Sequence, residues 1–151
     1  MALLATALAC LAMHPGCGGP PMLTPAPPSG FALAYERSGG LKAMPRKLKI
    51  GPDRVGTLEE RRTRPGGGEG AATHFKVPAK TLVGLRRALN RAGFASLPDP
   101  GPSPGTCADC YSYEIHYRHH DVTFDDATMP ESLRPVVARL EAIADAHRPL
   151  H

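Results

Sequence analysis

The stretch Tyr111-Ser112-Tyr113-Glu114-Ile115-His116-Tyr117-Arg118, continued by His119-His120-Asp121-Val122-Thr123-Phe124, decides the fold. Tyr111, Tyr113, Ile115 and Tyr117 alternate with Ser112, Glu114, His116 and Arg118. Such alternation is the period of a strand with one buried face and one wet face. His119-His120-Asp121 predicts a turn, and Val122 and Phe124 predict the returning strand of a hairpin. An isolated hairpin is marginal in water, so other elements must flank it and cover its apolar side.

Upstream of the hairpin, PDPGPSPGT at 98–106 is loop, because proline suits neither a helix interior nor a central strand. Before it the period changes. Leu82, Leu85, Leu89 and Ala92 recur at helical spacing from Lys80 to Ala92, with Arg86, Arg87, Asn90 and Arg91 mostly on the other side. Gly93 predicts a left-handed stop, and Phe94 is placed to fold back on the last turn. Downstream, Pro130 and Ser132 predict the start of a second helix with Leu133, Val136, Val137, Leu140, Ile143 and Ala144 on its apolar side. Pro135 fits that helix only in the first turn.

Further out, Phe31, Leu33 and Tyr35 alternate with Ala32, Ala34 and Glu36, which predicts a strand. Gly39-Gly40 predicts a sharp exposed loop leaving it. Lys47–Ile50 and Val55–Arg62 predict a hairpin around the turn Gly51-Pro52-Asp53-Arg54. PGGGEG at 65–70 reads as a flexible loop. His74–Val77 is a short strand with Phe75 and Val77 inward. The fold class is therefore α+β: an antiparallel sheet of about five to six strands with two amphipathic helices packed on one face.

The chain has 151 residues, and its charge is uneven. Residues 1–30 hold no Lys, Arg, Asp or Glu, although the whole chain has a formal net charge of +4. MALLATALACLAM at 1–13 is too short to span a bilayer but matches the apolar region of a signal peptide. Cys17 then opens a Pro/Gly-rich linker, as at a bacterial lipoprotein junction. The domain reading is a signal-peptide-like segment 1–17, a linker 18–30 and an α+β domain 31–151, with the protein exported and either lipid-anchored through Cys17 or extracellular.

The ordered domain resembles the emfourin-like family, small protein inhibitors of thermolysin-type metallopeptidases. The residues that carry the resemblance are Arg37-Ser38-Gly39-Gly40, Phe94 with Leu97-Pro98, Asp109 with Tyr111 and Tyr113, and Pro130, Leu133 and Leu140. It covers about residues 31–146. What it implies is a secreted or lipid-anchored binding protein that inhibits such a peptidase. The implied partner-binding residues are Arg37, Ser38, Gly39, Gly40, Leu41 and Lys42, within a loop extending to Ala43. Leu41 is the expected apolar anchor, since thermolysin-type enzymes favour a bulky apolar residue after the scissile bond. The alternative is a cell-envelope lipoprotein with a non-enzymatic binding or scaffolding role.

Other constellations carry less. Cys107-Ala108-Asp109-Cys110 is a CxxC without a following helix, which a redox motif needs, and without the second ligand pair that zinc needs. In an exported protein a local Cys107–Cys110 disulfide is the expectation. His116, His119, His120 and Asp121 are read as solvent-facing hairpin residues, and no metal or cofactor is assigned. Arg61, Arg62 and Arg64, like Arg86, Arg87 and Arg91, read as solvated surface. The chain has no Trp and no aromatic-basic interleaving, so nucleic acid is not an expected partner, and no small-molecule substrate is expected either. Asp125-Asp126 are adjacent, and Ser38 lacks a nucleophile elbow, so the protein is not read as an enzyme.

Overall fold

The computed structural model describes residues 30–40, 45–60, 72–101 and 109–148. The signal-like segment, Cys17 and nearly all of the linker lie outside these residues. So do Leu41, Lys42, Ala43, the Arg61–Arg64 run, the 65–70 loop and Cys107. The elements are β1 (Leu33–Gly39), β2 (Arg46–Ile50), β3 (Val55–Glu60), β4 (Ala72–Lys76), α1 (Ala79–Arg91), β5 (Tyr111–Tyr117), β6 (His120–Asp125) and α2 (Arg134–Ala146). The strands form one six-stranded sheet in the order β4-β3-β2-β1-β5-β6, with every neighbouring pair antiparallel. This is the α+β arrangement expected from the alternation and helical periods.

The register fixes which residues share a face. One row runs Phe75, Gly56, Ile50, Leu33, Tyr117, His120, and the next runs Thr73, Leu58, Leu48, Tyr35, Ile115, Val122. A third row is Glu60, Arg46, Arg37, Tyr113, Phe124. The apolar members of these rows join Leu82, Leu85 and Leu89 of α1 and Val136, Leu140 and Ile143 of α2 in one buried core. Both helices therefore cover the same face of the sheet. The opposite face carries Glu36, Lys47, Glu59 and Glu114 along one row, with Lys47 Nζ 2.8 Å from Glu36.

Helix α1 ends as the sequence implies. Gly93 takes φ +65°, and Phe94, only 2 % exposed, turns back into the core. Pro135 lies in the first turn of α2. A single 3₁₀ turn, Glu131–Leu133, precedes that helix, so the regular α segment starts later than Pro130 or Ser132. The β5–β6 turn also differs from expectation. Tyr117 pairs with His120, so Arg118-His119 forms the turn and His120 already belongs to the strand. Arg118 has φ +62° at the first central position, the backbone that a two-residue hairpin loop with matching twist requires. At the sheet's other edge, β4 begins at Ala72, and Val77 is 1 % exposed while Phe75 is half-buried and stacked on His147.

Candidate functional site

The sequence reads Gly39-Gly40 as a sharp exposed loop leaving the strand, but the structure carries β1 through Gly39. Arg37 pairs with Tyr113, Ser38 with Ser112 and Gly39 with Tyr111, and the Gly40 N–H donates to the Cys110 carbonyl at 3.1 Å. The loop boundary therefore moves past Gly39. The pairing is non-local, which is why two consecutive glycines read locally as a turn. Both do have left-handed φ values, +78° and +74°. A Cβ on Gly39 would sit 2.7 Å from the Cys110 oxygen, and one on Gly40 would run into the Tyr111 ring. Only glycine combines that backbone with that approach.

On its other side β1 outruns its neighbour. The β1–β2 ladder ends at Arg37 opposite Arg46. The preceding residue on β2 is Pro45, which has no N–H to continue the ladder. Ser38 and Gly39 thus extend beyond the β2 pairing while β5 holds them from behind, and Gly39 is exposed.

Below this corner the side chains interlock. Arg37 points toward the helices, with Nη1 donating to Glu141 Oε2 at 2.8 Å and its guanidinium 4.6 Å from the centre of the Tyr111 ring. These contacts make it a support for the corner. Asp126 fixes Tyr111 in turn: the Tyr111 N–H donates to Asp126 Oδ2 at 2.8 Å, and the Asp126 N–H donates to the Tyr111 carbonyl at 3.2 Å. The Tyr113 hydroxyl donates to Asp126 Oδ1 at 2.8 Å. Burial, then that carboxylate, push the Tyr113 phenol well above its ordinary range.

Glu141 of α2 is the hub behind the corner, accepting from the Tyr35 hydroxyl, Arg37 and Arg46. Arg46 is 1 % exposed and also reaches Glu60 at 2.6 Å and Asp145 at 2.9 Å. Burial disfavours its charge, but Glu141, Glu60 and Asp145 outweigh this and hold the guanidinium firmly protonated. The sequence reading missed this network. Its signal was available: Arg46, Leu48 and Ile50 share one phase of the period-two pattern, so Arg46 had to point into the core.

The remaining candidates separate. Cys110 is disulfide-bonded, while Cys107, its expected partner, lies outside the described residues. His116 pairs with Asp121 on the open face of the sheet. The His120 ring is on the helix side, 2.9 Å from the Leu97 carbonyl and edge-on to Phe94. The spacing HxxHH therefore does not converge, and no group of potential metal ligands occurs among the described residues. What the corner can do chemically is present ordered main chain to a partner.

Comparison with known families finds a match to the Emfourin family model over residues 73–141. The matched stretch runs from β4 into α2 and contains Phe94, Leu97-Pro98, Tyr111, Tyr113, Leu133 and Leu140, residues on which the resemblance rests. The chain is emfourin-like over that stretch, and the likeness is to a family of inhibitors rather than of enzymes. No curated protein matches the chain.

Proposed function

We infer that this protein is a small, non-enzymatic inhibitor of a thermolysin-type metallopeptidase, exported and lipid-anchored through Cys17 or released outside the cell. The observation that carries the reading is the Emfourin match, which includes the strand β5 against which the double-glycine corner is built. Ser38, Gly39 and Gly40 enter the cleft as main chain, Leu41 supplies the apolar anchor, and Lys42 flanks it. Arg37 belongs to the site as its internal brace on Glu141 and Tyr111. A segment already ordered by β5 loses less conformational freedom on binding than a free loop would. A Cys107–Cys110 bridge serves the same end, fixing the chain just before Tyr111.

The test is titration of the purified protein against a panel of thermolysin-type peptidases from its own host. Inhibition is expected for at least one, with Leu41→Asp weakening it by about 100-fold or more through loss of the apolar anchor. Melting temperatures of both proteins confirm that the substitution left the fold intact. Absence of inhibition and of binding across the panel overturns the reading, and inhibition unchanged by Leu41→Asp places the contact elsewhere.

A further inference from the structure

The outer junction of the two helices has features that neither the core nor the double-glycine corner uses. A cavity of about 590 Å³ is lined by Ala79, Lys80, Thr81, Val83, Gly84, Arg87 and Arg139. A second, of about 400 Å³, shares Thr81 and Arg139 with it and continues toward Ala142, Ile143 and His147. Together they make a groove along the α1–α2 seam, with mostly apolar walls and cations beside it.

Its charge is one-sided. Helix α1 carries Lys80, Arg86, Arg87 and Arg91 and no acidic residue. The carboxylates of α2 that lie nearby in sequence, Glu141 and Asp145, are turned to the sheet, where they neutralise Arg46. Lys80, Arg87 and Arg139 are exposed and form no ion pair among the described residues. Arg37, Arg46, Arg134 and Arg148, by contrast, each have a carboxylate partner.

Gly84 adds an independent observation. It lies inside α1, where glycine costs roughly 1 kcal/mol relative to alanine. Nothing in the fold requires it: its backbone is not left-handed, and a Cβ would meet only Arg139 Nη1, at an ordinary 3.5 Å. The missing side chain opens the groove floor instead.

We propose that this groove is a docking surface for an acidic amphipathic segment of a protein partner, distinct from the double-glycine corner. An apolar side chain of the partner seats over Gly84 and Val83, and carboxylates flanking it pair with Arg87, Arg139 and Lys80. Charge complementarity selects an acidic partner. The concave shape and the absence of aromatic residues from both helices favour a peptide over the alternatives. Membrane-surface helices present protruding apolar or aromatic side chains, and single-stranded nucleic acid needs rings to stack on.

The test uses the full chain and a fluorescein-labelled synthetic peptide with leucine and glutamate at helical spacing, beside a version with glutamine for glutamate. Expected results are saturable binding of the glutamate peptide and a loss of about 10-fold or more in affinity in Arg87→Glu/Arg139→Glu. Arg86→Glu/Arg91→Glu changes the net charge equally outside the groove and is expected to cost less than about 3-fold. Gly84→Leu is expected to block binding with helicity retained, while Gly84→Ala raises Tm. Equal losses in the two charge-reversal pairs would overturn the proposal, as would equal binding of the glutamine peptide. A fall in Tm on Gly84→Ala, or tighter binding to phosphatidylglycerol vesicles than to the peptide, would also overturn it.

Discussion

Tyr35 is fully buried, and its hydroxyl ends on the Glu141 carboxylate. Burial first, and then Glu141, raise its phenol far above the ordinary tyrosine range; Tyr113 is raised in the same way by burial and Asp126. In the unfolded chain both titrate near about 10. Below that pH each is protonated in both states and adds no pH dependence. Above it the unfolded chain releases protons that the folded chain keeps, so stability falls as pH rises, by up to about 1.4 kcal/mol per pH unit for each tyrosine. The urea midpoint should therefore drop between about pH 10 and 11. The slope should flatten in Tyr35→Phe, and an unchanged slope would assign the alkaline loss to other groups. The same side chains show why Arg46 must stay paired. Replacing it alone would take the buried cation from between Glu60 and Glu141 and leave them only their other partners, Arg148 for Glu60 and Tyr35 and Arg37 for Glu141, the costly way to break a buried ion pair.

At the scale of elements, the β1–β5 ladder explains the double glycine. Gly40→Ala is expected to destabilise the protein by about 1–3 kcal/mol, since it combines a left-handed backbone with intrusion into the Tyr111 ring. The double substitution Gly40→Ala/Tyr111→Ala should cost less than the sum of its parts, because the shortened side chain removes the clash. Additive losses measured by chemical denaturation would mean that the ring does not set the glycine requirement. Much of this level was legible in the sequence. Tyr113, Ile115 and Tyr117 alternate without interruption, and Leu82, Leu85 and Leu89 keep strict helical spacing, so local period alone located β5 and α1. Gly39-Gly40 reads locally as a loop because the partner that extends the strand lies far along the chain, at Tyr111 and Cys110. Arg118 hid the β5–β6 turn for a different reason: a left-handed arginine carries no compositional mark. Of the candidate site, the sequence supplied the main-chain corner but not its brace. Glu141 reaches Arg37 and Arg46 from a helix that no local pattern ties to those strands.

On the scale of the whole molecule, β1 is the joint. Strands β4, β3 and β2 lie on one side of it and β5 and β6 on the other, so the two halves of the sheet meet only through β1. Helix α1 follows the edge strand β4, and α2 follows the opposite edge strand β6, so the helices close over β1 from both ends of the sheet. Glu141 locks this arrangement by binding β1 through Tyr35 and Arg37 and β2 through Arg46. The buried core of the described residues runs from Phe31 to Ala144. Its first member stands just after the charge-free N-terminal stretch, and we propose that residues 1–29 serve export and tethering rather than folding. A chain starting at Gly30 should therefore melt within about 2 °C of the full chain, because a lost contribution of 1 kcal/mol would lower Tm by roughly 4 °C in a domain of this size. It should also retain the peptidase inhibition and the acidic-peptide binding expected of the full chain, since Ser38–Lys42 and the α1–α2 groove both lie beyond the cut. A larger fall in Tm would show that the N-terminal segment packs on the domain, and the autonomy of residues 30–151 would have to be abandoned.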